Sequence, residues 1–179
     1  DFDEQLHAVQ QAWARANYDI ADSDAREAAF EALAAQSSAL VDAWPQRAEA
    51  LVWDGIVNSS YAGAKGGLGA LGLAKKARAQ LEAAIAMDGS VLQGSAYTSL
   101  GTLYHKVPGF PIGFGSDKKA RSLLEKAIEL NPDGIDSNFF YGEFLIDEGD
   151  RDAGTRYLRK ALDAPDRPGR ERADAGRRD

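Results

Sequence analysis

Residues 118–134, KKARSLLEKAIELNPDG, contain the pattern that decides the fold of this chain. Within them the small residue Ala120 is followed four positions later by Leu124 and then by the pair Ala127–Ile128. Because an α-helix has about 3.6 residues per turn, these side chains share one face of a helix. The following Asn131–Pro132 ends that helix, since proline has no backbone N–H to donate. The stretch therefore predicts an amphipathic helix with small residues on its packing face.

The same pattern occurs twice more in the chain. It is found at Ala77–Leu81–Ala84–Ile85 and at Gly154–Leu158–Ala161–Leu162, which lie 43 residues before and 34 residues after the first example. Upstream of each copy a large residue precedes a glycine, at Gly55, Gly101 and Gly142. Glycine costs a helix about 1 kcal/mol relative to alanine. We therefore predict that these glycines allow adjacent helices to approach closely, with Gly101 and Ala127 at helix contacts.

Two stretches, SLGTLYHK with KKARSLLEKAIELNPDG and FFYGEFLIDEGDRDAGTRYLRKALDAP, resemble tetratricopeptide repeats. The resemblance rests on Leu100, Gly101, Tyr104, Ala120, Leu124, Ala127 and Pro132, and then on Tyr141, Gly142, Leu145, Gly154, Leu158 and Ala161. It covers residues 90–165 well, 46–89 loosely and 1–45 hardly at all. It implies an all-α fold, a right-handed α-α superhelix of about four antiparallel hairpins with a long loop inserted in the third.

We expect eight main helices, and we divide the chain accordingly. The predicted units are an acidic hairpin at 1–45, a loose hairpin at 46–89, a hairpin at 90–132 with an inserted loop at 105–117, a hairpin at 133–165 and a charged tail at 166–179. Pro45 suits the first turn of a helix, and Ser90 with Gln93 fits a capping box. The tail can form a short closing helix over residues 170–178.

Composition and charge exclude several classes of function. The net charge is −7, and residues 1–43 hold nine acids against two bases. Such a chain repels phosphate backbones, so we expect no nucleic-acid partner. The absence of cysteine excludes disulfides and thiolate chemistry. No apolar run approaches the length of about 18 residues that crosses a bilayer. The first residue is Asp1 rather than Met, which fits a removed signal peptide and favours an exported protein, with a cytoplasmic one as the alternative.

No motif in the sequence predicts a catalytic residue, a cofactor site or a metal site. Residues Gly67–Gly72 match G-x-G-x-x-G, but a helix precedes them and no βαβ frame is present, so we interpret them as a flexible connector between two helices. Residues Asn131–Asn138 lack the spacing and terminal Glu of a calcium loop. His7 and His105 have no neighbouring metal ligands in sequence. We therefore predict that the protein is not an enzyme. A carboxylate pair that spacing does not reveal stays open as a third hypothesis.

The inserted loop has the most unusual composition in the chain. Residues 104–116, YHKVPGFPIGFGS, combine two prolines, three glycines and three aromatic residues, whereas a hairpin turn needs only a few polar residues. The loop either packs over the hairpin as a cover or acts as a binding lip. Its candidate binding residues are Tyr104, Lys106, Phe110 and Phe114. The loop is also similar to those of bacterial exported helical proteins associated with TRAP-type transporters, although the lipid-bearing Cys of such lipoproteins is missing.

The first helices of such hairpins line the concave side of the stack, which is the default binding surface. Helical spacing places nine residues there: Val52, Ile56, Ser59, Thr98, Thr102, His105, Phe139, Glu143 and Ile146. This mixed surface suits a peptide or a partner helix, so our first hypothesis is a non-catalytic protein-interaction adaptor. The second is an accessory component of a transport system that encloses a small ligand. The sequence leaves the identity of the partner and the oligomeric state open.

Overall fold

The computed structural model of the chain describes residues 1–179 and consists of nine α-helices. The helices are α1 (Phe2–Tyr18), α2 (Ser23–Ala43), α3 (Ala48–Lys65), α4 (Gly67–Asp88), α5 (Val91–Lys106), α6 (Asp117–Leu130), α7 (Ile135–Asp147), α8 (Arg151–Asp163) and α9 (Glu171–Arg178). There is no strand; one isolated bridge joins Gly109 to Gly115. The prediction of an all-helical chain is confirmed, and α9 is the short closing helix expected in the tail.

Helices α1 to α8 pair in sequence order and stack as an α-α superhelix. Each odd-numbered helix packs against the even-numbered helix that follows it, and α1 contacts α3, α3 contacts α5 and α5 contacts α7. No comparable contact joins the even-numbered helices to one another. Because the layer whose helices touch is the more tightly curved one, α1, α3, α5 and α7 line the concave side.

Short polar residues explain the starts of four of the nine helices. The side chains of Asp1, Asp22, Ser116 and Asp150 each accept a hydrogen bond from a backbone N–H of the first turn. Such caps satisfy donors that have no partner within the helix. Asp1 also forms a full capping box with Glu4.

Two predicted helix starts are wrong. Ser90 makes no cap; its hydroxyl and backbone N–H both donate to Asp88, and Leu92, Gln93 and Gly94 adopt positive φ angles, so regular helix begins only after Gly94. Pro45 lies in the turn before α3 rather than in its first turn.

The glycine-rich segment is helical as well, which corrects its interpretation as a flexible connector. Only Gly66 and Gly67 have positive φ angles, and α4 begins at Gly67 and runs through Gly72. The turn between α3 and α4 is therefore very short. A tight turn of this kind holds the two helices side by side along their length, which explains why they form a closely packed pair.

The hydrophobic core consists of two clusters that meet at α3. The first contains α3 to α7 residues such as Leu81, Leu124 and Phe144, all fully buried. The second joins α1, α2 and α3, with Trp13 and Trp53 packed edge to face at 5.9 Å between ring centroids. Since side chains of α3 belong to both clusters, this helix couples the two halves of the stack.

The predicted packing role of the glycines is confirmed. A Cβ atom added at Gly101 would lie 2.8 Å from Leu124, and one added at Gly55 would lie 2.6 Å from Leu81. At Gly142 the nearest atom is the backbone oxygen of Gly154, at 2.9 Å. These distances are shorter than any ordinary carbon contact, so the second helix of each hairpin lies almost directly against the backbone of the first. Ala127 is fully buried.

None of the nine helices combines the length and the apolar character that a membrane-spanning segment requires.

Candidate functional site

The concave side of the stack is crossed by the end of the chain, residues 164–179, which we call the C-terminal segment. After α8 this segment turns back, and α9 contacts both α1 and α7. Arg172 bonds to Asp19 and to the carbonyl of Tyr18, while Gln11 donates to the carbonyl of Gly169 at 3.2 Å. Because α1 and α7 belong to the first and last hairpins, the segment bridges the two ends of the superhelix.

Two carboxylates hold the C-terminal segment in place. Asp136, at the start of α7, accepts from Arg177 Nε at 2.8 Å and lies 2.9 Å from an Arg167 nitrogen. Asp174, which is completely buried, accepts from the backbone N–H of Arg167 at 2.7 Å and from its Nε at 2.9 Å. Burial raises the pKa of Asp136, but Arg177 and Arg167 more than offset this, so its pKa lies below the ordinary value. Asp136 is thus held ionised.

A third arginine of the segment has no acidic partner. The guanidinium carbon of Arg170 lies 4.8 Å from the centroid of the Trp53 ring, and its Nε is buried without a hydrogen bond. Burial, and then the nearby charge of Arg167, lower the pKa of Arg170. The ring face of Trp53 offers a cation–π contact, which stabilises the guanidinium but satisfies none of its N–H donors.

A cavity of about 270 Å³ lies on the concave side against the arginine cluster formed by Arg167, Arg170 and Arg177. It has one acidic residue, Asp136, and its other lining residues fall into four groups. The aromatic and aliphatic residues are Trp13, Trp53, Ile56, Leu103 and Phe140; the hydroxyl residues are Ser59, Ser60, Ser95, Thr98, Ser99 and Thr102; the cations are Lys106, Arg167, Arg170 and Arg177; and Asn17 is the one amide. The cavity is thus apolar on one part of its wall and basic on another.

A second cavity, of about 550 Å³, adjoins the first. The two share six lining residues, Trp53, Ser95, Thr98, Asp136, Arg167 and Arg170. Asp133 and Asp166 add acidic groups to the second cavity, so its charges are more nearly balanced than those of the first.

The predicted groove residues fall into three different environments. Ile56, Ser59, Thr98 and Thr102 line the first cavity. Val52 is completely buried in the core. Ile146 packs against Gly154 of α8, where an added Cβ would lie 2.5 Å from Ile146 Cγ1, so neither residue faces the groove. Their placement by helical spacing is wrong because spacing gives the positions of residues around one helix but does not reveal which of its faces the neighbouring helices cover.

The remaining three predicted groove residues lie at the margin of the concave side. His105 Nε2 is 2.9 Å from an oxygen of Asp147, and its ring packs edge to face on Phe144. Glu143 pairs with Lys106 at 3.1 Å. Phe139 lies under Arg177 of the C-terminal segment, with 4.9 Å between the guanidinium carbon and the ring centroid.

The four predicted loop residues also lie in different environments. Tyr104 is buried, and the ring of Phe114 packs on it edge to face at 5.5 Å. Arg78 of α4 covers the Phe114 ring, with 4.2 Å between its guanidinium carbon and the ring centroid. Phe110, in contrast, is 94% exposed and its neighbour Ile112 is 73% exposed. Lys106 belongs to the cavity wall. The loop is therefore a cover at Phe114 and an exposed apolar tip at Phe110.

The sequence did not predict two parts of the cavity wall. These are the three arginines Arg167, Arg170 and Arg177 of the C-terminal segment and the aromatic residues Trp13, Trp53 and Phe140. The segment has five Arg and four acids, which indicates only a charged tail. The partners Asp136 and Arg177 are 41 positions apart, and no local pattern connects them. Only the return of the chain across the concave side brings them together.

Comparison with solved structures identifies the class of fold. The chain is similar to TTC0263, a thermophilic TPR protein of Thermus thermophilus, with a TM-score of 0.67 and 21% sequence identity over 99% of this chain and 81% of that one. At this level of identity the likeness shows the fold: this chain has the right-handed α-α superhelix of tetratricopeptide-repeat proteins, as the sequence predicts.

Two crystal structures of MamA are also similar. They share 21% and 20% identity with this chain, cover 87% and 89% of it and 98% and 92% of their own lengths, and have TM-scores of 0.39 and 0.40. No protein-family model and no curated protein matches the sequence.

Proposed function

We propose that this protein is a non-catalytic adaptor that binds another protein through the tip of the inserted loop and the adjacent margin of the concave side. The observation that carries the proposal is the exposure of Phe110 and Ile112 on a loop whose base is fixed. Large apolar side chains that are held in water by an ordered segment are typical of binding surfaces. The tetratricopeptide fold supports the class of function, since its stacked hairpins present extended surfaces to other proteins.

The base of the loop is fixed by hydrogen bonds as well as by Phe114. The backbone N–H of Gly115 donates to the carbonyl of Pro108 at 2.9 Å, and that of Ser116 donates to the carbonyl of Tyr104 at 3.0 Å. A Cβ on Gly115 would lie 1.8 Å from a backbone oxygen, so only glycine fits there. A fixed base lowers the entropy lost when the tip binds a partner.

The margin beside the loop adds charged groups of both signs. Lys106, Glu143 and Asp147 form an exposed ion-pair group near His105. Exposed pairs of this kind contribute little to folding. Around an apolar centre they supply the polar rim that protein interfaces commonly have.

The proposal is tested by placing a photo-crosslinking residue, p-benzoylphenylalanine, at Phe110. The matched control is the same residue at Leu162, which is 56% exposed on α8. Irradiation in an extract of the native host is expected to give a discrete crosslinked species from position 110 and none from position 162. The proposal is wrong if position 110 gives no crosslink or if both positions give the same species.

A double variant of the loop tip gives the energetic test once the crosslinked partner is known. Phe110→Ala with Ile112→Ala should weaken binding at least about tenfold, because exposed aromatic anchors supply much of the binding free energy. Phe114→Ala should instead lower stability, by about 1–3 kcal/mol, since this ring is packed between Tyr104 and Arg78. Binding and urea denaturation are measured on both variants; unchanged binding by the tip variant would contradict the proposal.

The alternative proposal is an accessory ligand-binding component of an exported transport system, the role that the loop resemblance implies. A periplasmic or otherwise exported location is part of that alternative, against a cytoplasmic one. Fractionation of the native host with an antibody to this chain tests the location directly.

A further inference from the structure

The arginine cluster on the concave side, formed by Arg167, Arg170 and Arg177, has three positive charges but only two carboxylates, Asp136 and Asp174, beside it. Arg167 lies against both Asp136 and Asp174, and Arg177 lies against Asp136. These two carboxylates therefore serve two guanidinium groups. The fourth cation of the cavity, Lys106, is paired with Glu143. Arg170 is left with one uncompensated positive charge.

The surroundings of Arg170 do not allow water to replace the missing partner fully. Its Nε is buried and has no hydrogen bond, and one side of its guanidinium is covered by Trp53. A guanidinium has five N–H donors in a planar fork that matches the two oxygens of a carboxylate. An anion placed in the cavity would supply the acceptors that the fold does not.

A second polar group of the cavity lacks a partner too. The hydroxyl of Ser59, in α3, is buried without a hydrogen bond, whereas the neighbouring Ser60 accepts from the Trp13 indole N–H at 2.8 Å. Buried polar atoms in native proteins are nearly always hydrogen-bonded. Two unpartnered polar groups, Ser59 and Arg170, in the lining of one cavity therefore indicate a place where a polar ligand is bound.

The size and the remaining wall of the cavity define the ligand further. A volume of about 270 Å³ lies just below the range for small-molecule sites, roughly 300–1,000 Å³, so the first cavity by itself has room for a small organic molecule. Trp53, Ile56 and Phe140 provide an apolar surface beside the arginine. Since one guanidinium is uncompensated, a single negative charge balances the site.

We propose that the concave cavity binds a small organic monocarboxylate, with its carboxylate at Arg170 and its apolar body against Trp53 and Phe140. This is a binding site in addition to the protein-binding surface at the loop tip, and it does not depend on that surface. The C-terminal segment supplies the charged part of the site, while α3, α5 and α7 supply the apolar part.

The test uses benzoate as the probe and benzamide, its neutral analogue of the same shape, as the control. Titration calorimetry with the full chain is expected to give saturable benzoate binding with a Kd of about 1 mM or tighter. Benzamide should bind at least about tenfold more weakly, because the amide leaves the charge of Arg170 unbalanced. Phenyl phosphate, which carries close to two negative charges, should also bind more weakly than benzoate.

Substitutions test whether benzoate binds at Arg170. Arg170→Gln should weaken benzoate binding at least about tenfold, and Arg170→Lys, which keeps the charge but not the fork, should have an intermediate effect. The matched control Arg156→Gln changes an exposed arginine of α8 and should leave binding within about twofold of the wild type. In the wild type, saturation of the bound benzoate ring should transfer magnetisation to the Trp53 indole protons, a readout that does not depend on any variant folding.

Four results would overturn the proposal. They are the absence of saturable benzoate binding up to about 10 mM, equal binding of benzamide, tighter binding of phenyl phosphate, and wild-type binding by Arg170→Gln with an unchanged circular dichroism spectrum.

Discussion

At the scale of single residues, glycine decides how closely the helices approach. Gly142 and Gly154 face each other across the contact between α7 and α8, where a Cβ on Gly154 would lie 2.7 Å from the backbone oxygen of Gly142. Backbone atoms cannot move aside as the end of a flexible side chain can. A methyl group here must therefore push the two helices apart.

We predict that Gly154→Ala lowers the free energy of unfolding by about 1–3 kcal/mol, the usual cost of overpacking. Gly72→Ala is the matched control: Gly72 is helical, exposed and has no atom within 4 Å of an added Cβ. That variant should gain about 0.5–1 kcal/mol, because alanine loses less entropy in a helix. Urea denaturation of both variants checks the pair. Equal stability of the two would mean that α7 and α8 do not approach as described.

Single residues of the inserted loop also differ in their environment. Phe110 and Phe114 are four positions apart and both aromatic, so the sequence does not distinguish them. In the structure Phe114 is packed between Tyr104 and Arg78, whereas Phe110 is almost fully exposed. The two hypotheses for the loop, a cover and a binding lip, therefore apply to different side chains.

At the scale of elements, α9 has eight residues and is too short to be stable alone in water, where helices below about 12–15 residues are marginal. It is helical because it is docked. Its docking depends on Asp174, which is completely buried against Arg167, and on Asp136, which pairs with Arg167 and Arg177. Undocking and local unfolding of α9 should therefore be one event.

We predict that Asp174→Asn releases the C-terminal segment while the rest of the chain stays folded. The asparagine still fits, but it removes one of the two carboxylates that pair with Arg167 and replaces a buried acceptor oxygen with an amide group that donates, which is unfavourable. Amide hydrogen exchange in residues 165–178 should accelerate at least about tenfold, with little change in α3 and α4. Asp166→Asn is the control: its side chain is 60% exposed and pairs with Arg178 at the surface, where an ion pair contributes little, so this variant should exchange as the wild type does. Unchanged protection in the Asp174 variant would disprove this role.

A pH dependence follows from Asp136. Its pKa is lower in the folded chain than its ordinary value of about 3.9, so its contribution to docking is fully present above that pH. The contribution is lost as the pH falls through the lower, folded pKa. The groups that face it are Arg167, Arg170, Arg177 and Tyr18. Asp136 is the one carboxylate among these groups, so it is the source of the expected change.

We therefore expect tryptophan fluorescence to report release of Arg170 from Trp53 when the pH is lowered from about 5 to below about 3.9. In Asp136→Asn this acid transition should be reduced, since the group that titrates has been removed. A transition of the same size in both proteins would assign it to other carboxylates.

At the scale of the whole molecule, the superhelix and the C-terminal segment contribute unequally to the core. The larger hydrophobic cluster contains no residue of the segment, and the smaller one contains only Ala173. Helices α1 to α8 therefore hold the core, and the segment closes the concave side against it.

We predict that a chain ending at Ala164 remains predominantly helical by far-UV circular dichroism. Its melting temperature should fall by only a few degrees, since about 1 kcal/mol corresponds to about 2–4 °C in a domain of this size. Tryptophan emission should shift to longer wavelength, because Trp13 and Trp53 line the cavity that the segment covers. A chain that loses most of its helical signal on this truncation would show that closure is required for folding.

The sequence by itself determined the class of fold. Helix formation depends on contacts three and four residues apart, and these are written directly in patterns such as Ala120–Leu124–Ala127. The glycines that permit close packing, Gly55, Gly101 and Gly142, were predicted for the same reason, since an unfavourable residue at equivalent places in three helices indicates a steric requirement. These features are local, so one chain is enough to reveal them.

Only the tertiary structure decided which residues meet on the concave side. Helical spacing places Val52 and Ile146 in the groove, but in the structure Val52 is buried in the core and Ile146 packs against Gly154 of α8. The charged site joins Asp136 of α7, Trp53 of α3 and arginines of the C-terminal segment, positions that are far apart in the chain. Closing such long loops costs entropy that only the packed superhelix and the buried ion pairs offset. Contacts of that kind leave no periodic trace in a sequence, and this is why the tail was predicted as a helix but not as part of a site.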